Sequence, residues 1–393
     1  MRKSLRTAMG KNNDFENLKK EGLFRERRTI NSAQGAKISI DGEKFLNFSS
    51  NDYLGFANNE KLKRCMIEAI HEYGIGAGSS QLITGHIEPH EILEKKLSDF
   101  FNRHASLVFS SGYHANLAIA SALINKNTII LQDKLSHASL VDAALLSKGK
   151  LVRYQHCDLS HLKSLLEKYK NNDLIIMTDG VFSMDGDCAP LLEISKLCNK
   201  YHALLIVDDA HGIGVLGGKG AGLIEELNLE KEVDLLIGTF GKSFGAAGAF
   251  IAGSETLIEA FIQKARTYIY TTALLPALAA TITHTLDMIE RSKNLRLHIR
   301  ELIADYKKLS KKAGMCVGGS NNHIQPLIIG GANEAMQISK ALYKKNILVS
   351  AIRPPTVPKN TSRLRISITA AHTKNDISLL VKTLSKILNE RGQ

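Results

Sequence analysis

The sequence has no tryptophan and no Cys-x-x-Cys pair. Its five cysteines, Cys65, Cys157, Cys188, Cys198 and Cys316, are odd in number and irregularly spaced. That pattern indicates neither a zinc site nor a disulfide framework, so no metal is expected and reduced thiols in the cytoplasm are. No block of five or six like charges occurs, although 51 Lys and Arg against 39 Asp and Glu leave a net charge of +12. The basic residues are spread along the chain. Without basic stripes interleaved with aromatics, nucleic acid is not an expected partner. Long apolar runs are also missing. The least polar stretch, Thr271 to Leu286, holds Pro276, His284 and several threonines, and is too short and too polar to cross a bilayer. The N-terminus stays polar through Lys20, which excludes a secretory h-region. A soluble protein with no membrane partner is expected.

What is present is a chain of 393 residues, 44% apolar and 23% charged, enough for two or three domains with a sizeable core. Residues 1–45 read as a helical and hairpin segment whose first ten residues look like an extension. A helix is expected over Asp14–Arg28, then a short strand pair around Ile38-Asp41-Gly42 and Phe45-Asn47. Residues 46–286 read as a large domain. In it, apolar runs alternate with helical stretches: Leu107–Phe109, Thr128–Leu131, Leu174–Met177, Leu204–Val207, Leu235–Ile237 and Phe250–Ala252. Continuous apolar strands between helices predict a mostly parallel sheet buried on both faces. Residues 287–393 read as a smaller C-terminal domain. A long charged helical stretch leads into it, strands lie at Gln325–Ile329 and Leu364–Thr369, and helices at about 333–345 and 375–390.

Polar clusters follow the apolar runs. They are Ser110-Ser111-Gly112-Tyr113, Thr178-Asp179-Gly180, Asp208-Asp209-Ala210-His211-Gly212 and Gly238-Thr239-Phe240-Gly241-Lys242. Open parallel sheets bind ligands outside the carboxyl ends of their strands, so four such clusters point into one crevice. A lysine there, Lys242, can form a Schiff base with a carbonyl cofactor. Gly-Lys-Ser is also a P-loop ending, but the leading glycine of that motif would fall at Leu236, and the spacing fails. Asp208 can pair with a protonated pyridine nitrogen, with Asp209 left to cap a helix. His211, three residues on, can orient Asp208 or bond a phenolic oxygen. Ser111-Gly112-Tyr113-His114 precedes a helical stretch, Asn116 to Ile124, whose N-terminus suits a phosphate. His137, in Ser136-His137-Ala138-Ser139, can stack on a planar ring. Ser183 can hold a phosphate or ring oxygen, or serve only a turn. Arg353 and Arg365 are candidates for gripping a carboxylate.

Taken in order, these stretches resemble the α-oxoamine synthase family of fold-type I pyridoxal-phosphate enzymes, class-II aminotransferase-like proteins. The matching segments are Ser50–Gly55, Gly74–Ser80, Asp133–Ser139, Thr178–Gly186, Val207–Gly212 and Thr239–Lys242. Each is modestly specific, and the ordered set is highly so. The resemblance implies an α/β fold with a mostly parallel seven-stranded sheet and a smaller α+β C-terminal domain. It also implies pyridoxal 5'-phosphate as cofactor. Lys242 would hold the cofactor and later move a proton, Asp208 would face the pyridine nitrogen, and His211 the phenolic oxygen. His137 would stack on the ring, Ser183 and Thr239 would contact it, and the backbone at Gly112 and Tyr113 would cradle the phosphate. Thr271 or Thr272 would reach the phosphate of a neighbouring subunit, implying a homodimer with shared sites. Arg365 would bind the amino-acid carboxylate, while Arg25, Asn51, Arg353 and Thr356 would line the acyl side.

Within the family, Ala351-Ile352-Arg353-Pro354-Pro355-Thr356-Val357-Pro358 and Arg363-Leu364-Arg365 resemble the branch that joins L-alanine to a pimeloyl thioester. The thioester would be carried by acyl carrier protein or coenzyme A. The branch that joins glycine to an acetyl group shares the core but differs at the Arg-Pro-Pro segment. A non-catalytic paralogue is disfavoured by Lys242, Asp208 and His211 standing together.

Overall fold

A computed structural model describes residues 12–390 and residue 392; the expected extension over the first ten residues lies outside them. The chain forms two compact units. One takes the described residues up to Ser50, Met184–Gly186, and those from Arg300 on; the other takes Asn51–Ser183 and Asp187–Ile299.

In the first unit, β1 (Lys37–Ile40) and β2 (Glu43–Asn47) pair antiparallel across Asp41-Gly42, a dipeptide suited to a two-residue hairpin turn. The helix expected over Asp14–Arg28 is a correction: it runs Asn12–Lys20. Gly22 stops it, with φ +67°. The N–H groups of Gly22 and Leu23 fold back onto the carbonyls of Lys19 and Leu18 at 3.1 and 2.7 Å. This left-handed cap satisfies the last helical carbonyls, and a 3.6-residue charge pattern cannot reveal it.

The second unit holds the large sheet. Its strands are β3 (Ala105–Phe109), β4 (Thr128–Asp133), β5 (Lys150–Tyr154), β6 (Asp173–Asp179), β7 (Leu204–Asp208), β8 (Leu235–Thr239) and β9 (Ala249–Gly253). They lie in the order β3-β9-β8-β7-β6-β4-β5, with β9 antiparallel to both neighbours and the remaining pairs parallel. The mostly parallel seven-stranded sheet is as expected. All six residues of β4, and all but the first of β6, are buried, which is why these strands read as unbroken apolar runs. β5 was not among those runs. It is an edge strand bonded only to β4, and its Lys150 and Arg153 face solvent.

Back in the first unit, β10 (Ile324–Gly330), β13 (Ser362–Ser367) and β12 (Ser350–Ile352) form an antiparallel sheet in the order β10-β13-β12. Pro326 is tolerated because β10 is an edge. β11 (Ile347–Leu348) pairs parallel with β2. Neither β11 nor β12, at two and three residues, is long enough to show a period. Helices Ala332–Tyr343 and Lys374–Asn389 match the expected pair. The charged helical stretch expected from about 287 is two helices, Pro276–Arg291 and Lys293–Lys312. Among the described residues no helix is long and apolar enough to cross a membrane.

One charged cluster braces the carboxyl edge of the large sheet. His156 bonds Asp133 through Nδ1 at 2.9 Å and Asp187 through Nε2 at 2.7 Å. Burial alone would lower its pKa, but the two carboxylate hydrogen bonds outweigh burial and push it up to about 12. The folded pKa exceeds the unfolded one, so the stabilisation is complete below about pH 6.5 and fades as pH rises towards 12. His156→Gln is expected to cost about 1–2 kcal/mol near neutral pH, since the imidazole is partly exposed. Urea unfolding of both proteins between pH 6 and 10 checks this, with the gap narrowing at the alkaline end.

Candidate active site

The carboxyl ends of β3, β6, β7 and β8 open onto one cavity of about 400 Å³, within the second unit. Its lining includes Asn51, Gly112, Tyr113, Asn116, His137, Ser139, Asp179, Asp208, His211, Thr239 and Lys242. The volume suits a small organic ligand.

The β3 end leads into helix Gly112–Ala122, four residues earlier than the expected start at Asn116. Ser111 is its N-cap, accepting the His114 N–H at 3.2 Å. Ser111, Gly112 and Tyr113 line the cavity, so the first N–H groups of this helix stand where an anion would bind. The Tyr113 hydroxyl donates to Asp142 at 2.5 Å.

His137 caps the next helix, Ala138–Leu146. Its backbone N–H donates to Asp179 Oδ2 at 3.0 Å, and its Nδ1 lies 2.7 Å from Ser139 Oγ. Burial lowers the imidazole pKa and the Lys242 charge adds to this, against the Asp208 carboxylate.

Asp208 ends β7, with Asp179 beside it on β6 in register. Asn116 Nδ2 donates to Asp208 Oδ2 at 2.8 Å, and the Ala210 N–H to Oδ1 at 3.1 Å. Asp179 is pushed well above the carboxylate range by burial and by the Asp208 charge. Asp209 turns the other way. No helix starts at 210. Instead its Oδ2 accepts the Leu223 N–H at 2.6 Å, capping helix Leu223–Glu226 from fourteen residues back. A Cβ on Gly180, Gly212 or Gly222 would stand 2.5, 2.1 or 2.0 Å from its carboxylate oxygens, so those three positions are vacated for one carboxyl group. The turn after Asp209 brings His211 to the same cavity. Its Nδ1 lies 2.7 Å from the Tyr53 hydroxyl, which also donates to Asn51 Oδ1 at 3.1 Å.

β8 supplies Thr239 and the turn bearing Lys242, closed by the Gly245 N–H on the Lys242 carbonyl at 2.8 Å. Thr239 Oγ1 and Asn116 Oδ1 are buried without a hydrogen-bond partner among the described residues. Unsatisfied polar atoms facing a site of this kind suit a polar ligand.

The remaining expected residues lie elsewhere. Ser183 is half-buried and outside the lining, in the loop pinned by the Val181–Cys188 bridge. Thr271 and Thr272 do not line the cavity; Thr272 forms a bridge with Ser80. Arg25, Arg353, Thr356 and Arg365 belong to the other unit. There Arg353 donates to the carbonyls of Gly22 and Phe24 and lines a separate cavity of about 470 Å³. Burial and the Arg25 charge lower its pKa. Arg365 is buried in β13 and donates to Ser367 at 2.8 Å. Asn116, Ser139, Asp179 and Tyr53 received no role from the sequence. The one signal for Asn116 is an amide in an otherwise apolar part of its helix.

A family model for aminotransferase class I and II matches residues 43–384. The chain belongs to that family. It is 46% identical over 369 residues to an 8-amino-7-oxononanoate synthase of Hahella chejuensis, covering 94% of this chain and 93% of the relative. With a protein of the same name from Marinobacter nauticus it shares 44% identity, covering 95% of each. Among solved structures, serine palmitoyltransferase from S. paucimobilis, with pyridoxal phosphate and myriocin bound, superposes with TM-score 0.92 at 28% identity over 97% of each chain. An 8-amino-7-oxononanoate synthase from Francisella tularensis gives TM-score 0.78 at 31% identity, over 89% of this chain and 99% of that one. The fold is that of the fold-type I pyridoxal-phosphate enzymes, as the sequence implied.

Burial raises the Asp209 pKa to about 8. The folded protein then holds a proton that the unfolded chain has lost, so this group lowers stability as pH rises from about 4 to about 8, by up to about 1.4 kcal/mol per unit. Asp209→Asn keeps the acceptor for Leu223 and cannot ionise. Its urea midpoint is expected to fall less than the parent's over that range; parallel curves would refute a neutral Asp209.

Proposed function

We propose that the protein is an 8-amino-7-oxononanoate synthase acting in biotin biosynthesis. It condenses L-alanine with a pimeloyl thioester, on acyl carrier protein or coenzyme A, and releases CO2 and the free carrier. The observation that carries this reading is the meeting of Lys242, Asp208, His211 and His137 in one cavity of a chain related over nearly its full length to proteins of that name.

The residues present fit pyridoxal phosphate. The helix N-terminus at Gly112 and Tyr113 takes the phosphate and Asp208 takes the pyridine nitrogen. Thr239 offers the orphaned hydroxyl, and Lys242 is the covalent anchor. Bound there, the cofactor supplies an electron sink for the negative charge left when the amino acid's α-proton departs. Asp208, held by Asn116 and the Ala210 N–H, would stand against the ring nitrogen. His211 bonds the phenolic oxygen, and His137 covers the ring face and borders the substrate. Ser183, which lies outside the cavity lining, is assigned a cofactor contact by the family resemblance alone. Lys242 Nζ would take the α-proton and later return one. Between those steps a carbon–carbon bond forms to the thioester carbonyl, the carbon–sulfur bond breaks, and the alanine carboxylate leaves as CO2. Arg365 is assigned to that carboxylate, and Arg25, Asn51, Arg353 and Thr356 to the acyl chain. We infer a cytoplasmic location, in which its cysteines stay reduced, and a reaction that calls for no metal.

Lys242→Ala is expected to lose the visible absorbance of lysine-bound cofactor and to slow turnover on the order of a thousandfold or more. Mass spectrometry of products from alanine plus pimeloyl thioester, against glycine plus acetyl thioester, tests the substrate pair. Full activity in the variant, or product only from the second pair, refutes the reading.

We also propose a homodimer. Ile75, Ile83 and Tyr270 are 80%, 75% and 70% exposed, on two segments tied by the Ser80–Thr272 bridge. Exposed apolar groups gathered this way mark an interface, and Thr271 or Thr272 beside them is assigned to the partner's phosphate. Ile83→Lys is expected to shift the sedimentation pattern from dimer to monomer and to weaken cofactor retention. An unchanged dimer would remove this face from the interface.

A further inference from the structure

Asn116 is fully buried and lies one helical turn, about 6 Å, after Gly112. Its single amide nitrogen makes two hydrogen bonds, to Asp208 Oδ2 and to Ser139 Oγ, both at 2.8 Å. The orientation of the amide is dictated by charge. Turned over, its oxygen would face a carboxylate oxygen at that distance, with no proton between them while Asp208 is ionised. The amide oxygen is instead left buried without a partner among the described residues.

The direction of the next bond follows. Ser139 Oγ already accepts from Asn116, so its own hydrogen is free to point at His137 Nδ1, 2.7 Å away. The Ser139 backbone N–H points at the same nitrogen at 3.3 Å. With two donors aimed at it, Nδ1 is the acceptor, and the imidazole proton sits on Nε2. Four groups thus form one directed chain, from carboxylate to amide to hydroxyl to imidazole.

We propose that Asn116 is a positioning residue for the cofactor site: one amide nitrogen holds the Asp208 carboxylate and, through the Ser139 hydroxyl, fixes His137 with its proton on Nε2. The proposal rests on the cofactor reading above. The same helix then serves both ends of the cofactor, its N-terminus at the phosphate and Asn116 behind the ring nitrogen's partner. The other charged groups around His137 are Asp179, which accepts its backbone N–H, and Lys242 and Asp142. The groups within hydrogen-bond distance of Nδ1 are the hydroxyl and the backbone N–H of Ser139, so the choice of nitrogen falls to Ser139 and, behind it, Asn116.

The test uses the full chain with 15N-labelled histidine, in cofactor-free and cofactor-loaded forms. The parent is expected to show His137 as a single Nε2-protonated tautomer at neutral pH in both forms. Asn116→Leu keeps the side-chain size within an apolar helix, and Ser139→Ala removes one oxygen, so a folding failure in one leaves the other to report. Either variant is expected to mix the His137 tautomers in the cofactor-free protein. Asn116→Leu is also expected to weaken cofactor retention by on the order of tenfold, as for loss of a hydrogen bond to a charged group. In the double variant, the His137 change should be no larger than in Ser139→Ala alone, since Asn116 acts through Ser139. A His137 that stays Nε2-protonated in both folded single variants overturns the proposal. A parent protein that binds no pyridoxal phosphate overturns the cofactor reading instead, and the cofactor-free spectra still decide the tautomer.

Discussion

Three carboxyl groups, Asp179, Asp208 and Asp209, are buried side by side at the ends of β6 and β7, and the site is arranged around the cost of keeping them there. A desolvated carboxylate is tolerated only when hydrogen-bonded or neutralised. The protein uses a different device for each. Asp209 is enclosed where three glycines leave room, accepts one backbone N–H, and keeps its proton to about pH 8. Asp179 accepts the His137 N–H and is also raised, by burial and by its neighbour. Asp208 receives two donors, one from a side-chain amide and one from the backbone. Asp179 and Asp208 both line the cavity, and Asp208, with the two donors, is the one assigned to a cationic ring nitrogen.

This arrangement depends on the sheet. β6 and β7 pair in register with Asp179 opposite Asp208, and both strands are buried over nearly their whole length. The helices that follow β3 and β4 deliver the donors. Asn116 comes from the first, and His137 and Ser139 from the start of the second. Apolar strands create the dry environment that makes a misplaced charge expensive, and the same dryness makes each of these hydrogen bonds strong.

The sequence exposed whatever depends on strand ends and long apolar runs. Lys242, Asp208, His211, His137, Gly112 and Tyr113 were all legible because each lies within a few residues of the end of a run that had to be a buried strand, and all line the cavity. β5 was hidden because an edge strand with Lys150 and Arg153 outward has no apolar run to read. The helix over Asn12–Lys20 was overextended because the charge period continues past Gly22, while the backbone does not. Asn116 could not be assigned at all. Its partners are 23 and 92 residues away, and only the fold brings them within reach of one amide. Arg353 and Arg365 were candidates by residue type, while their particular roles, and Arg25 and Thr356 altogether, came from resemblance, since an arginine on a strand or loop carries no local sign of what it grips.

Two histidines show how the same residue type is divided between structure and chemistry. His156 has a carboxylate oxygen on each ring nitrogen, at 2.9 and 2.7 Å. It is held as a cation, both nitrogens are committed, and nothing remains with which to meet a ligand. His137 is exposed on the cavity side, and no carboxylate is hydrogen-bonded to its ring. Partial desolvation of the ring lowers its pKa and the Lys242 charge adds to this, while Asp208 opposes them through space. A hydroxyl holds one nitrogen and the ring lines the cavity, so it stays neutral at physiological pH and can lie against an aromatic cofactor without adding a second cation beside Lys242. A positive His137 would compete with the protonated ring nitrogen for Asp208. The absence of a contacting carboxylate is therefore what fits it to the site, as the presence of two fits His156 to the frame.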